Sequence, residues 1–337
     1  MSRTASLSRR APLGALALLL CAGMTLAARA ETPRVVADIP ATGALVAEVM
    51  GDLGRPEVLA GAGADPHHFQ LRPSQARALA EADLLFWVGP ELTPWLVRPA
   101  ASLEQGRAIA LLAVPGTARQ DYPAEGAADE DHDHEKHGED GDHDGHGQDG
   151  HDEHHHTGID PHAWLDPGNG QVWLGAIAEA LAERDPDHAA TYRANAARAK
   201  ADLARLDASL AARLAPARGK PFVVLHDAYG YFTRHYGLGP TYAVSLGDAS
   251  APSAARLRDL RRALAEAGAV CAFPETNHDP RLLASVLDGT GIRQGAALSP
   301  EGGPAEPRPG AYAAILSGLT ESLLACLAPE AAAVAKP

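Results

Sequence analysis

The sequence predicts an α/β protein of two lobes, each a four-stranded parallel sheet flanked by helices, joined by a single long helix. Three observations carry this prediction. Apolar strand-like runs alternate with helical patterns twice over, in the first third of the chain and again after residue 216, and such alternation builds parallel sheets with right-handed crossovers. Between the two series, an alanine-rich, charged pattern runs from Asp187 to Leu214, roughly 28 residues and about 40 Å if fully helical, which suits a strut between lobes. The triplet Asp65-Pro66-His67 recurs as Asp160-Pro161-His162, each time after a loop. Proline fixes its own φ and biases the residue before it toward extended geometry, so each triplet holds a histidine on a stiff turn, as a metal ion requires of its ligands.

The chain begins with signal-peptide features over residues 1–30. Arg3, Arg9 and Arg10 form a basic start, Ala11 to Ala22 an apolar stretch, and Ala28-Arg29-Ala30 a small-residue cleavage site. The apolar stretch is short for a spanning helix, and Leu20 before Cys21 does not suit a lipoprotein signal. Cleavage removes four arginines and takes the net charge from -14 to -18. That balance excludes nucleic acid and anionic membrane surfaces as partners. It also leaves two cysteines, Cys271 and Cys326, which in an exported protein most simply form one disulfide. Two free thiols, one of them a metal ligand, are the alternative.

In the first lobe, Arg34 to Ile39 reads as a strand, followed by a helix to Leu53 that Thr42 can cap. Pro56 to Ala60 is a short strand, Gly61 to Pro73 a loop carrying the first Asp-Pro-His, and Ser74 to Ala82 a helix. Leu84-Leu85-Phe86-Trp87-Val88 is a continuous apolar run, the mark of a strand covered on both faces. A helix over Leu92 to Glu104 and a strand over Arg107 to Val114 complete the series.

Residues 116–158 break the pattern. Within 129–156 stand nine histidines (His132, His134, His137, His143, His146, His151, His154, His155 and His156) with twelve acids and one lysine. Such a segment has too little apolar surface to offset its ordering entropy and is expected to be disordered. Imidazoles suit zinc, copper and nickel, so the segment is expected to offer several weak, interchangeable metal sites.

After the Trp164-Leu165-Asp166-Pro167 turn come a helix over Gly170 to Arg184 and the long helix, with Pro186 at its start. The second lobe repeats the first. Pro221 to Leu225, Thr241 to Leu246, Ala269 to Phe273 and Ile292 to Leu298 read as strands. Helices fall over Tyr229 to His235, from Ser253 to Glu266, from Pro280 to Leu287, and from Tyr312 to Leu327. His226 and Asp279 lie beyond strand ends, where open parallel sheets bind ligands. His67 and His162 from the first lobe with His226 and Asp279 from the second make a three-imidazole, one-carboxylate set matched to tetrahedral Zn²⁺. His278, beside Asp279, could replace it; His68, His188 and His235 read as ordinary surface residues.

Three segments resemble the metal-ligand motifs of the zinc and manganese substrate-binding proteins (cluster A-I) of ABC transporters: Gly63-Ala64-Asp65-Pro66-His67, Asp160 to Pro167, and Leu225-His226-Asp227-Ala228-Tyr229-Gly230-Tyr231-Phe232. Glu275 to Pro280 is similar to a fourth. The resemblance covers residues 34–328. It implies two (β/α)₄ lobes joined by one long helix, a metal between them held by His67, His162, His226 and Asp279, a periplasmic location, and delivery to a membrane permease. Periplasmic zinc chaperones are further candidate partners, and a monomer is expected. Manganese members usually carry glutamate where this chain has His226, and replacing a carboxylate by imidazole disfavours Mn²⁺ relative to Zn²⁺. Cys271, Cys326 and the histidine-rich insertion resemble the zinc branch. The organisation expected is thus a signal peptide (1–30), an N-terminal lobe (31–185) with the insertion (116–158), a linking helix (186–215) and a C-terminal lobe (216–337). Manganese transport, a zinc buffer or chaperone without a permease, and a zinc hydrolase are the competing functions; no general base or nucleophile motif supports the last.

Overall fold

A computed structural model of the chain describes residues 32–61, 63–103, 106–122, 158–247, 250–303 and 306–334. The expected signal peptide and all nine histidines of the insertion lie outside the described residues.

The first lobe is built from β1 (Val35–Ala37), α1 (Pro40–Met50), β2 (Glu57–Val58), α2 (Pro73–Ala80), β3 (Leu84–Trp87), α3 (Val97–Ala101) and β4 (Arg107–Ala110). Its sheet is parallel throughout, in the order β2-β1-β3-β4. Then come α4 (Pro167–Arg184) and the long α5 (Ala189–Leu214). The second lobe follows as β5 (Phe222–His226), α6 (Gly230–Tyr236), β6 (Thr241–Ser245), α7 (Ala254–Ala267), β7 (Cys271–Phe273), α8 (Pro280–Leu287), β8 (Arg293–Gln294), α9 (Ala311–Leu327) and α10 (Pro329–Val334). Its sheet is again parallel, in the order β6-β5-β7-β8. The two lobes therefore share one topology, and every residue of β3 and of β5 is buried, as expected of strands covered on both faces.

Several elements depart from the sequence reading. Thr42 does not cap α1. Pro40 takes the first helical position with Ile39 before it, and Thr42 lies buried inside the helix. The helix expected over Leu92 to Glu104 shrinks to a 3₁₀ turn at Pro94–Leu96 and the single turn of α3, because Pro94 and Pro99 remove backbone donors. The last strand shortens to two residues, with Leu298 kept as an isolated parallel bridge to Glu275. The insertion does not begin at residue 116. Residues 116–122 are placed against the lobes, Ala118 pairing twice with Asn169 and Gln120 N–H donating to the Tyr231 hydroxyl. Residues 120–122 pair antiparallel with 158–160 through Tyr122 N to Gly158 O and Asp160 N to Gln120 O. This ladder closes the base of the insertion two residues before His162.

One buried apolar cluster runs through both lobes, from Val35 and Leu45 through Trp164, Trp173 and Tyr192 to Phe232 and Leu324. The Trp164 turn bolts the lobes together: its indole N–H donates to Pro300 O, and its carbonyl accepts from the Tyr312 hydroxyl of α9 at 2.5 Å. Tyr312 fits there because residue 170 is glycine; a Cβ would meet the phenol at 2.6 Å. Cys271 and Cys326 form a disulfide that ties β7 to α9. Among the described residues no helix is long and apolar enough to cross a membrane.

Candidate metal centre

The two Asp-Pro-His triplets adopt the same local structure. Asp65 Oδ1 accepts the N–H of His67 at 2.9 Å, and Asp160 Oδ1 accepts the N–H of His162 at 2.9 Å. An aspartate that accepts from the residue two further on makes an Asx turn, and the intervening proline removes the competing donor. The first turn is anchored by Trp95, whose indole N–H donates to Pro66 O. The third histidine arrives differently: His226 is the last residue of β5, at the carboxyl end of a fully buried strand.

These turns bring His67, His162 and His226 together from both lobes. One ring nitrogen of each lies within 4.8 Å of the others. The Nε2 atoms of His162 and His226 are 3.4 Å apart, close to the separation of about 3.3 Å that two Zn–N bonds near 2.05 Å make at a tetrahedral angle. His162 and His226 are inaccessible to solvent, while His67 is half-buried.

Two buried carboxylates orient the rings. Asp160 Oδ1 lies 2.8 Å from His162 Nδ1, and Glu275 Oε2 lies 2.7 Å from His226 Nδ1. In the neutral ring, with Nδ1 donating to a carboxylate, Nε2 keeps its lone pair facing the other histidines, the tautomer a metal ligand needs. Glu275 also accepts the Tyr229 hydroxyl at 3.0 Å, and Asp160 accepts the Gln120 amide at 2.7 Å.

The electrostatics separate the histidines. Burial holds His162 well below the ordinary imidazole range, and the neighbouring His226 charge adds to this. Burial pulls His226 the same way, but the charge and hydrogen bond of Glu275 overcome it and push the imidazole up to about 9. Burial raises Asp160 to about 6, and likewise raises Glu301, close to the cluster, to about 7. Glu275 thus favours the charged form of His226, and a cation entering the cluster competes with that proton.

Asp279, expected as the fourth ligand, is not brought to the cluster. It sits at the N-cap of α8, accepts the N–H of Arg281 at 2.9 Å and pairs with the Arg281 guanidinium at 2.8 Å, with about half its side chain in solvent. A helix start attracts an aspartate for its own reasons: it caps an orphan donor and meets the positive end of the dipole. The residues that the sequence reading left out of the site are Glu275, Asp160 and Glu301. The first two stood inside the quoted motifs, and Asp160 carried a visible signal, being the acid two residues before a ligand in a repeated triplet. Glu301 had none; only the fold brings it near. His68, His188 and His235 each face a carboxylate, of Asp65, Asp185, and both Asp166 and Asp207 respectively.

Comparison with known proteins shows the family and the fold. The model of the family described as zinc-uptake complex component A, periplasmic, matches residues 35–326. The high-affinity zinc uptake system protein ZnuA of Paracoccus denitrificans is 58% identical over 336 residues, covering 97% of this chain and 99% of its own. That of Yersinia pestis is 35% identical over 318 residues, covering 92% and 95%. Among solved structures, a crystal structure of ZnuA superposes with a TM-score of 0.68 at 24% identity, covering 88% of this chain and all of its own. The periplasmic zinc binding protein TroA of Treponema pallidum gives 0.71 at 21%, covering 88% and 99%. At these identities the structural likeness speaks for the fold alone.

Proposed function

The chain belongs to the zinc-uptake complex component A family, and on that premise we propose that it captures Zn²⁺ in the periplasm and delivers it to the membrane permease of an ABC importer. The observation that carries this reading is the three-histidine cluster assembled from both lobes, with a buried carboxylate behind each of His162 and His226. His67, His162 and His226 are the protein ligands, and the fourth position of a tetrahedral ion falls to solvent. Three imidazoles with no carboxylate among the direct ligands favour zinc over manganese. Hydrolysis is disfavoured because both nearby orienting carboxylates, Asp160 and Glu275, already accept hydrogen bonds from the histidines and neighbouring side chains. The site is completed within one chain, which supports a monomer.

The same reading includes removal of residues 1–30 on export and auxiliary zinc capture by the histidines of 129–156. Competition with a chelator tests the site in a chain lacking residues 129–156. His162→Ala should weaken the tight site by orders of magnitude, and retained affinity would refute the assignment. Co-purification with the cognate permease separates delivery from a free-standing zinc buffer.

A further inference from the structure

Glu275 and His278 form, with His226, a second group able to hold a metal ion, its ligand atoms again within 4.8 Å of one another. We propose that this group is a staging site on the C-terminal lobe, which receives Zn²⁺ before it passes to the three-histidine centre. The proposal deepens the zinc-capture reading and rests on it.

Three features support it. The first is provenance. His67 and His162 come from the N-terminal lobe, whereas His226 ends β5, and Glu275 and His278 stand in the loop between β7 and α8. All three staging ligands therefore belong to one lobe and stay together whatever the lobes do relative to each other. That loop is held at its start: Cys271 of β7 is disulfide-bonded to Cys326, and Glu275 bridges Leu298. The second is access. The His226 and Glu275 side chains are inaccessible, but His278 keeps about a fifth of its surface in solvent, so it is the member an incoming ion meets first. The third is geometry. Glu275 Oε2 lies 2.7 Å from His226 Nδ1 and 3.6 Å from His278 Nε2, and the two imidazole centroids are 5.7 Å apart. Two imidazoles and one carboxylate are a zinc-type set with an open position.

The two sites use opposite faces of one ring. In the three-histidine centre His226 ligates through Nε2 while its Nδ1–H donates to Glu275. In the staging site it ligates through Nδ1, and the ring proton sits on Nε2. Transfer breaks the bonds from zinc to Glu275, His278 and His226 Nδ1, forms those to His67, His162 and His226 Nε2, and exchanges the proton on His226 Nε2 for one on Nδ1, with no net change of protonation. Because Glu275 cannot both ligate and orient His226, the two sites are filled one at a time.

The test uses Co²⁺ and Zn²⁺ on the full-length mature chain, all variants carrying the same insertion. In His67→Asn/His162→Asn the N-terminal ligands are gone. This double variant should bind one more equivalent of Co²⁺, with tetrahedral-type visible absorption, than the same chain carrying His278→Phe in addition. Equal cobalt spectra with and without His278 would overturn the proposal. A loss of tight zinc in the unsubstituted chain would instead overturn the zinc-capture reading itself. Should the double variant not fold, stopped-flow zinc capture by the single variant His278→Phe decides. A staging role requires its association rate to fall several-fold, and an unchanged rate refutes the role.

Discussion

At the scale of single residues, the site depends as much on the groups behind the histidines as on the histidines. Asp160 and Glu275 fix which nitrogen of His162 and His226 faces the other histidines. Removing such an orienting carboxylate typically weakens metal binding by about 10–100-fold, and Glu275→Gln is expected to do so in a chelator competition. Asp279→Asn should leave the affinity where it was, because Asp279 serves the α8 N-terminus and Arg281; an order-of-magnitude loss would restore it as a ligand. The charge state of His226 gives a further expectation. Its imidazole is pushed up to about 9 in the metal-free chain, and zinc requires it neutral. Binding below that pH must therefore displace about one proton, and binding well above it none. His162, held well below the ordinary range, contributes none. Calorimetry in buffers of different ionisation enthalpy should find about one proton released near pH 7.5, with apparent affinity falling as pH is lowered; zero release would contradict the His226–Glu275 pairing.

At the scale of elements, α5 and α6 are joined to the metal-bearing turn by one histidine. His235 of α6 lies 3.2 Å from Asp166, the N-cap of α4, and 2.8 Å from Asp207 on α5. Arg234 and the Tyr236 hydroxyl face the same carboxylates. The hydrogen bond to Asp166, together with Asp207, raises His235 to about 9, against about 6.5 for an unperturbed histidine. A group raised in the folded state contributes stability that is fully present below the unfolded value and is lost as pH rises through the folded one. His235→Asn should therefore lower the melting temperature clearly near pH 6.5 and much less near pH 10. A pH-independent difference would mean that packing, not charge, is what His235 supplies. The disulfide acts at the same scale: reducing Cys271–Cys326 should destabilise the chain by about 2–4 kcal/mol, read as a drop in the denaturant midpoint.

At the scale of the whole molecule, the insertion and the shared core have separate consequences. Deleting residues 129–156 removes nine histidines and twelve acids; it should lower zinc stoichiometry while leaving the tightest site unchanged, and equal stoichiometry in calorimetry would remove its auxiliary role. The two-lobed plan was legible in the sequence because strands buried on both faces leave continuous apolar runs, as in Leu84–Trp87 and Phe222–Leu225. The three histidines were legible because stiff Asp-Pro-His turns and a strand end are local features. The place of Asp279 was not legible, because an aspartate before Pro280 reads equally as ligand and as helix cap. Glu301 was illegible because its place near the site depends wholly on long-range packing. That packing yields the last expectation. Trp164 of the first lobe donates to Pro300 of the second, Tyr312 of α9 returns to Trp164, and a single buried cluster continues from β1 through α5 into α9. Lobes divided by a thin interface would unfold separately; lobes that share a core lose both halves when either opens. Calorimetry of the mature chain should show one unfolding transition, coincident when followed by tryptophan fluorescence and by far-ultraviolet dichroism. The proposed zinc site draws on both lobes, so zinc should move that single transition upward as a unit, by about 2.7 kcal/mol of added stability at a hundredfold excess over Kd. Two transitions, only one of them shifted by zinc, would show that the lobes are independent and that the cleft, not the core, governs how the site opens.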